Sequence, residues 1–388
     1  MSKLEKLIQQ YCPDGVEYKA LGEVTIMKRG TSATKGIMQA GNIPVISGGR
    51  QPAFYCNASN RTGEVITVAG SGAGAGYVQY WNEPIFVCDA FSIQGNETLN
   101  TKYVYYVLTS IQEKIYSTKK GGGVPHVHIS SIDKFEIPLP PLPVQEEIVR
   151  VLDAFTELQA ELQAELQKRK QQYNFYRDNL LTNFTTEQNV KEYTLGELGT
   201  FTRGNGLQKK DFTREGIGCI HYGQIYTRFG AFADKTLTYV NRELASHLLQ
   251  VEKGNLVIAC TSENVEDICK SVAWLGEENI CTGGHACVFR HNQNPKYISY
   301  FFQTEYFFNQ KKKYTYGTKV KDIKPDSIAK IKIPLPSLKE QERIVSILDN
   351  LYTLTNDLAS GLPAEMEKRR QQYEYYRDKL LTFKRKGA

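Results

Sequence analysis

Two stretches of the chain return almost residue for residue, and nothing else in the sequence restricts the fold so sharply. Ile137–Asp153 (IPLPPLPVQEEIVRVLD) comes back as Ile333–Asp349 (IPLPSLKEQERIVSILD) at an offset of 196. Lys168–Thr182 (KRKQQYNFYRDNLLT) comes back as Lys368–Thr382 (KRRQQYEYYRDKLLT) at an offset of 200. A weaker match at offset 174 pairs Leu21-Gly22-Glu23 with Leu195-Gly196-Glu197 and Arg29-Gly30 with Arg203-Gly204. The chain is therefore two tandem halves, each a variable segment followed by a near-constant one. The divisions fall at 1–136, 137–183, 184–332 and 333–388.

The near-constant segments are predicted to be helices. Pro140, Pro141 and Pro143 precede the first, and Pro334 and Pro336 the second; proline's fixed φ suits an extended lead-in to a helix start. Ile148, Phe155, Leu162 and Tyr176 fall at multiples of seven, flanked by Val151, Leu152, Leu158, Leu166, Tyr173 and Leu180. The second copy has Ile344, Leu351 and Leu358 at sevens, flanked by Ile347, Leu348 and Leu354, then Tyr373, Tyr376 and Leu380. Such stripes, with Gln, Glu, Lys and Arg between them, have coiled-coil spacing. About 40 residues rising 1.5 Å each make a rod of roughly 60 Å, and two equal rods in one chain pack naturally on each other. The second copy is longer and carries Gly361-Leu362-Pro363 within its stripe. An insertion shifts the heptad phase and proline removes a helix hydrogen bond, so a kink or break is expected near residues 360–364.

The variable segments are rich in Gly, Tyr, Val, Ile and Thr. Runs such as Glu64–Ala69, Ile85–Cys88 and Asn255–Ala259 read as strands, with one helix late in each segment, near Lys102–Tyr116 and Tyr297–Lys311. Strands and helices do not alternate regularly, so the expected class is α+β: two tandem globules separated by two long helices, rather than a doubly wound parallel sheet. Apolar residues at 41% and aromatics at 11% exclude a disordered chain. No apolar run approaches the roughly 20 residues of a membrane span. The start MSKLEKLIQQYC has no apolar signal core, and eight Cys without paired spacing suit a reducing compartment. A cytoplasmic, nucleoid-associated location is expected.

The formal charge of +6 is unevenly distributed. Residues 1–142 hold 13 Lys and Arg against 11 Asp and Glu, and residues 184–338 hold 20 against 16, whereas 143–183 and 339–383 hold 5 against 7 and 7 against 8. Basic globules on slightly acidic rods suit a polyanionic partner such as DNA.

Catalytic signatures fail on inspection. Gly70–Gly76 (GSGAGAG) follows a strand-like run but leads into Tyr77-Val78-Gln79-Tyr80, another strand pattern, where a nucleotide-binding turn needs a helix. Pro13-Asp14 and Glu17-Tyr18-Lys19 lie too close for the carboxylates of a nuclease, so a Pro-Asp-Gly turn is expected. Cys260, Cys269, Cys281, His285, Cys287 and His291 lack the close cysteine pair of a structural zinc site and read as core cysteines. The chain has no GxxxxGK[ST] loop, and its Pro140-Pro141 is followed by Leu142, unlike the [DNS]PP[YFW] of amino-methyltransferases. His126 and His128 read as contact or packing residues. Two other classes stay open: a methyltransferase holding its cofactor at GSGAGAG, and a scaffold whose globules bind proteins.

IPLP at Ile137–Pro140 and Ile333–Pro336, each followed by Gln-Glu (Gln145-Glu146, Gln341-Glu342) and by IVxxLD, resembles the specificity subunit of type I restriction–modification systems over the whole chain. Arg29-Gly30, Arg203-Gly204 and Gly317–Val320 (GTKV) fit the same pattern. The resemblance implies two target-recognition domains on an antiparallel coiled coil with pseudo-twofold symmetry. The C-terminal Leu380–Phe383 would meet the N-terminus as Leu180–Phe184 meets the second globule. Its implied partners are double-stranded DNA, two methyltransferase subunits and motor–nuclease subunits. S-adenosylmethionine, ATP and Mg would reside in those partners and no cofactor in this chain, which would itself be no enzyme. On that reading each globule reads half of a split, asymmetric site. Base edges call for Arg, Lys, Asn or Gln, and the phosphate backbone for Lys, Ser, Thr and Tyr. Loop candidates in the first globule are Arg29, Thr31, Lys35, Ser47, Arg50, Gln51, Ser71, Lys119, Lys120 and His126. In the second they are Arg203, Asn205, Gln208, Lys209, Lys210, Tyr222, Gln224, Arg228, Ser262, Asn264, Lys311, Lys312, Lys313, Tyr316 and Lys319. Arg50 and Gln224 lead these two sets.

Overall fold

The runs rich in β-branched residues form the sheet centres. Val65–Ala69 is buried at every position and lies between Ala90–Gly95 and Val78–Trp81; Thr25–Arg29 completes an antiparallel sheet beyond Ala90–Gly95. Leu256–Ala259, also wholly buried, takes the same place between Ala286–His291 and Ser271–Trp274, with Gly199–Arg203 beyond Ala286–His291. Each globule adds a smaller mixed sheet, built around Ile43–Ile46 in the first and around Ile217–Ile220 and Ile280–Thr282 in the second. This computed structural model describes residues 2–33, 39–184, 190–356 and 361–387. It forms two units, Met1–Gln163 with Glu365–Ala388, and Ala164–Ala364. Both are α+β.

The helix late in each variable segment is in fact two. Thr101–Ser110 and Gln112–Tyr116 occupy the first, Pro295–Phe301 and Glu305–Lys311 the second. In the second unit the Thr304 hydroxyl accepts from the Phe307 amide and starts a new helix, which ends the preceding one. Tyr103, Tyr106, Tyr297 and Tyr300 are fully buried.

The repeated motifs tie the long helices to these globules. IPLP forms a short strand, Glu136–Leu139 or Lys332–Leu335, antiparallel to Glu17–Ala20 or Lys191–Thr194. The buried Gln145 follows on the first long helix, Leu142–Thr182. Its amide donates to the carbonyls of Pro140 (2.7 Å) and Thr98 (3.1 Å), and its carbonyl accepts from the Asn100 amide at 2.8 Å. Gln341 repeats this with Pro336 (2.9 Å), Gln293 (3.0 Å) and the Asn294 amide (3.0 Å). The Asp closing IVxxLD makes a second tie: Asp153 binds Lys102 and Tyr106, and Asp349 binds Lys296 and Tyr300. The two motifs marked in the sequence are thus the same buried junction built twice.

The first long helix is unbroken over 41 residues, while the second copy is two helices, Leu338–Asn356 and Leu362–Leu380. Pro363 sits in the first turn of the latter, where its missing N–H costs nothing. In the first unit Phe155 stacks on Tyr376 (5.6 Å) and lies tilted against Tyr373 (6.5 Å); in the second, Tyr173 meets Tyr352 edge-on at 6.0 Å. Ile148 and Ile344 are buried, and Leu162 and Leu351 partly so, but Tyr176 is 41% exposed and Tyr376 is 37% exposed. The stripe drifts about 20° per heptad on a straight helix. By the fourth heptad Tyr173, on the neighbouring row, has therefore replaced Tyr176 on the seam. Leu358 lies outside the described residues.

The chain end completes the first unit. Leu380, Leu381 and Phe383 pack with Leu4, Cys12 and Val16, and Tyr18 Oη donates to the Phe383 carbonyl. The Val16 amide donates to the Lys384 carbonyl and the Val16 carbonyl accepts from the Lys386 amide, as in a strand pair, and Arg385 pairs with Glu136. In the second unit Leu180, Leu181 and Phe184 pack with Leu195.

Two outcomes are expected. Gln341→Leu strands a buried amide N–H and two acceptors, so it destabilises the second unit by roughly 2–4 kcal/mol; hydrogen exchange should accelerate there and not in the first unit. His291 packs on Phe289, its Nδ1 accepts from the Gln293 amide, and its Nε2 is buried without a partner. Burial pushes its pKa down to about 4. The unfolded chain then binds the proton first, so stability from this group is complete above about pH 6.5 and falls as the pH drops toward 4, by on the order of 3 kcal/mol. In urea titrations across that range, His291→Asn should lose less stability than the parent.

Candidate nucleic-acid interface

In the first unit, turns at the strand ends gather into one loop cluster. The Gly-rich 70–76 stretch joins two antiparallel neighbours, Val65–Ala69 and Val78–Trp81, so it is a hairpin loop, not a strand-to-helix turn. Gly48 lies against it so closely that a Cβ would stand 2.2 Å from the Ser71 carbonyl oxygen; only glycine permits this approach. The Gly72 amide donates to the Pro125 carbonyl (3.0 Å), and Ser71 lies beside His126 in a β-bridge. The segments 47–51, 70–76 and 120–126 are thereby fastened together, and the Thr31 amide joins them through the Val87 carbonyl.

On this cluster the Arg50 guanidinium stacks 5.0 Å above the Tyr77 ring, and Gln51 is exposed beside it. Ser71 donates to Asp89, Thr31 accepts from Asn60, and Ser47 is half-buried. Arg29, exposed at the end of its strand, lines a cleft of about 210 Å³ with Asp89, His126 and His128, whose imidazoles stack in parallel 6.0 Å apart. Lys120 is exposed, and Lys119 folds over Tyr116 at 4.1 Å. Lys35 lies outside the described residues.

The second unit has the same frame with other side chains, and here three candidates are already bonded within the protein. Arg203, the counterpart of Arg29, is not free: it makes a bidentate pair with Asp322 (2.8 and 3.0 Å) and donates to the Gly284 carbonyl. That bonding holds its pKa above the usual guanidinium value. Gln224 is also spent, accepting from the His221 amide and bonding Thr238, so it closes a helix start. Lys311 is buried, its ammonium donating to the carbonyls of Glu266 and Ile268, and burial lowers its pKa. It follows the buried Phe307 by one helical turn and shares its inward face, whereas Lys312 and Lys313 are exposed.

The remaining candidates form two adjoining groups. Ser262 and Tyr316 adjoin the Arg203–Asp322 pair: Ser262 lies opposite Lys321 in a two-residue strand pairing, and Tyr316 bonds Asp322, while Asn205 and Lys319 are exposed. Asn264 is exposed and tied to Asp267. Lys209, Gln224 and Arg228 line a cleft of about 490 Å³ with His221 and Phe212, and Gln208 and Lys210 are exposed at its edge. Tyr222 bridges the groups, its ring 4.5 Å from His221 and 4.7 Å from His285. Burial first, then Lys209 and His285, keep the His221 pKa low.

Asp89, His221 and Asp322 were not singled out from the sequence. Asp322 could have been, because it stands 196 residues after His126, the offset of the IPLP repeat. Cys260, Cys269, Cys281 and Cys287 are buried.

Comparison with known proteins gives one answer. Residues 13–169 and 187–368 match the family described as Type I restriction modification DNA specificity domain. The specificity subunit of the type I restriction enzyme EcoR124I/EcoR124II of Escherichia coli is 30% identical over 419 residues, covering 99% of this chain and 97% of the relative. A putative type I restriction enzyme specificity subunit of Haemophilus influenzae is also 30% identical, over 98% of both chains. The crystal structure of the type I restriction–modification S subunit of M. genitalium superposes with a TM-score of 0.58 at 18% identity, over 95% of this chain and 96% of that one. The fold, the duplicated junction and these matches agree: the chain belongs to the type I restriction–modification specificity family.

Proposed function

We propose that this chain reads a split DNA site, one loop cluster per half, and holds the catalytic subunits of a type I complex on its long helices. The observation that carries the reading is the pairing of one frame with two different sets of side chains. Ser71 pairs with His126 in the first cluster as Thr261 pairs with Asp322 in the second, so an imidazole and a carboxylate occupy the same place in like architecture. Unlike faces read unlike bases, so the two half-sites differ. The specificity subunits it resembles supply the context of modification and restriction.

The helices would take two copies of one partner, the methyltransferase. Phe175–Tyr176 and Tyr375–Tyr376 are edge-to-face pairs (5.6 and 5.3 Å) in equivalent places, with Phe175 64% and Tyr375 61% exposed. The same arginine scaffold flanks both: Arg169 and Arg369 bond Glu165 and Glu365, and Arg177 and Arg377 lie over Tyr173 and Tyr373. Exposed aromatics kept in both copies, while the globules diverge, suit one shared partner surface. The motor–nuclease subunits would join that assembly. S-adenosylmethionine, ATP and Mg would be bound by the partner subunits, and this chain would catalyse no step.

Co-expression with the methyltransferase encoded beside it, followed by genome-wide mapping of methylated adenines, tests the reading. A split, asymmetric motif with a fixed gap is expected. A soluble complex that methylates nothing, or without sequence preference, would move the assignment to a protein-binding scaffold. Replacing Phe175 and Tyr176 by Ala should leave one methyltransferase per chain by native mass spectrometry, where the parent holds two. Lys312→Ala with Lys313→Ala should weaken binding to all duplexes alike and lower the salt slope by roughly one per lysine.

A further inference from the structure

Both units carry a five-residue hairpin loop of the same construction, and its tip has no role in the fold. In the first, Lys120 and His126 exchange backbone hydrogen bonds (2.9 and 2.7 Å) around 121–125; in the second, Tyr316 and Asp322 do so (3.1 and 2.9 Å) around 317–321. Gly121 and Gly317 open the loops at φ +107° and +99°, and a Cβ there would stand 2.6 and 2.1 Å from the carbonyl oxygens of Val124 and Val320. The two turns therefore need glycine for the same two reasons.

The base of each hairpin is immobilised. Gly72 and Val127 amides bond the Pro125 and Gly70 carbonyls in the first unit. In the second, Thr261 and Ser262 pair with Asp322 and Lys321, and the Ile323 amide bonds the Cys260 carbonyl. Beyond this rigid base, the fourth loop residue is valine in both copies, 54% exposed at Val124 and 58% at Val320. A β-branched apolar residue at a wet loop tip contributes nothing to the core, yet it persists where the intervening residues have become Gly122-Gly123 and Thr318-Lys319. Lys120 stands at the foot of the first hairpin; in the second loop Lys319 is exposed beside Val320 and the Lys321 ammonium donates to the Gly317 carbonyl. Each apolar point thus has a cation close by in its own hairpin, the surroundings of a residue that meets nucleic acid rather than another apolar surface.

We propose that Val124 and Val320 are apolar wedges, one from each unit, that enter a groove of the bound duplex and unstack a base step in each half-site. This rests on the DNA-reading assignment above and adds to it a contact that deforms DNA instead of reading a base edge. Lys120 at the foot of one hairpin and Lys319 in the other loop would hold neighbouring phosphates while the valine displaces water from the stack.

The test uses the full chain with its methyltransferase, on a duplex bearing the mapped methylation motif, with 2-aminopurine replacing successive purines. Emission should rise at one step in each half-site. Val124→Ser should abolish one rise and Val320→Ser the other, each weakening binding about tenfold with the salt slope unchanged. Val124→Leu and Val320→Leu should keep both signals. Since both side chains are exposed, the serine variants should fold and hold methyltransferase as the parent does. Flat emission throughout, or serine variants that bind as the parent does, would overturn the wedge while leaving DNA recognition intact. A parent complex that binds no duplex and methylates none would overturn both.

Discussion

The structure depends on a buried glutamine at the start of each long helix. Gln145 and Gln341 each satisfy the carbonyl of the proline that ends IPLP and the first amide of the globule's helix cap, using both ends of one side-chain amide. A buried amide makes these bonds or leaves them unsatisfied at considerable cost, so the angle between globule and helix has one acceptable value. The Asp153 and Asp349 pairs, two helical turns further on, prevent rotation about that point. Everything beyond the junction can vary without disturbing it, which is how two unlike globules share one helical frame.

The two copies also differ at matched positions in ways that follow from charge. Arg29 lies exposed beside His126, whereas Arg203 is locked to Asp322, the residue in the place of His126. One substitution on the hairpin thus converts an available cation into an internal brace. The backbone is the same; the side chain offered to a ligand is not.

Much of this was legible in the sequence. The heptad spacing, the proline lead-ins, the break beside Gly361 and the α+β character of the globules are local or periodic signals, and periodic signals survive without tertiary knowledge. Candidate residues chosen from Gly-flanked loops come together in the first unit because glycine marks the places where loops touch. What the sequence did not carry was which polar side chains are already spent. Lys311 reads as part of a basic run, yet helical spacing from Phe307 turns it inward. Gln224 is held by His221 and Thr238 nearby in the chain, and Arg203 by Asp322, 119 residues away, pairings that no local pattern announces. Tyr176 fails for a slower reason, the accumulated drift between a seven-residue count and the true helical period.

The segment that closes the first unit has a consequence for how the chain can be divided. Residues 365–387 are separated from the rest of that unit by the whole of the second, yet their apolar side chains complete the core containing Leu4, Cys12 and Val16. The second unit is contiguous, from 164 to 364. A single cut between the units at residue 163 therefore strips the first globule of part of its core.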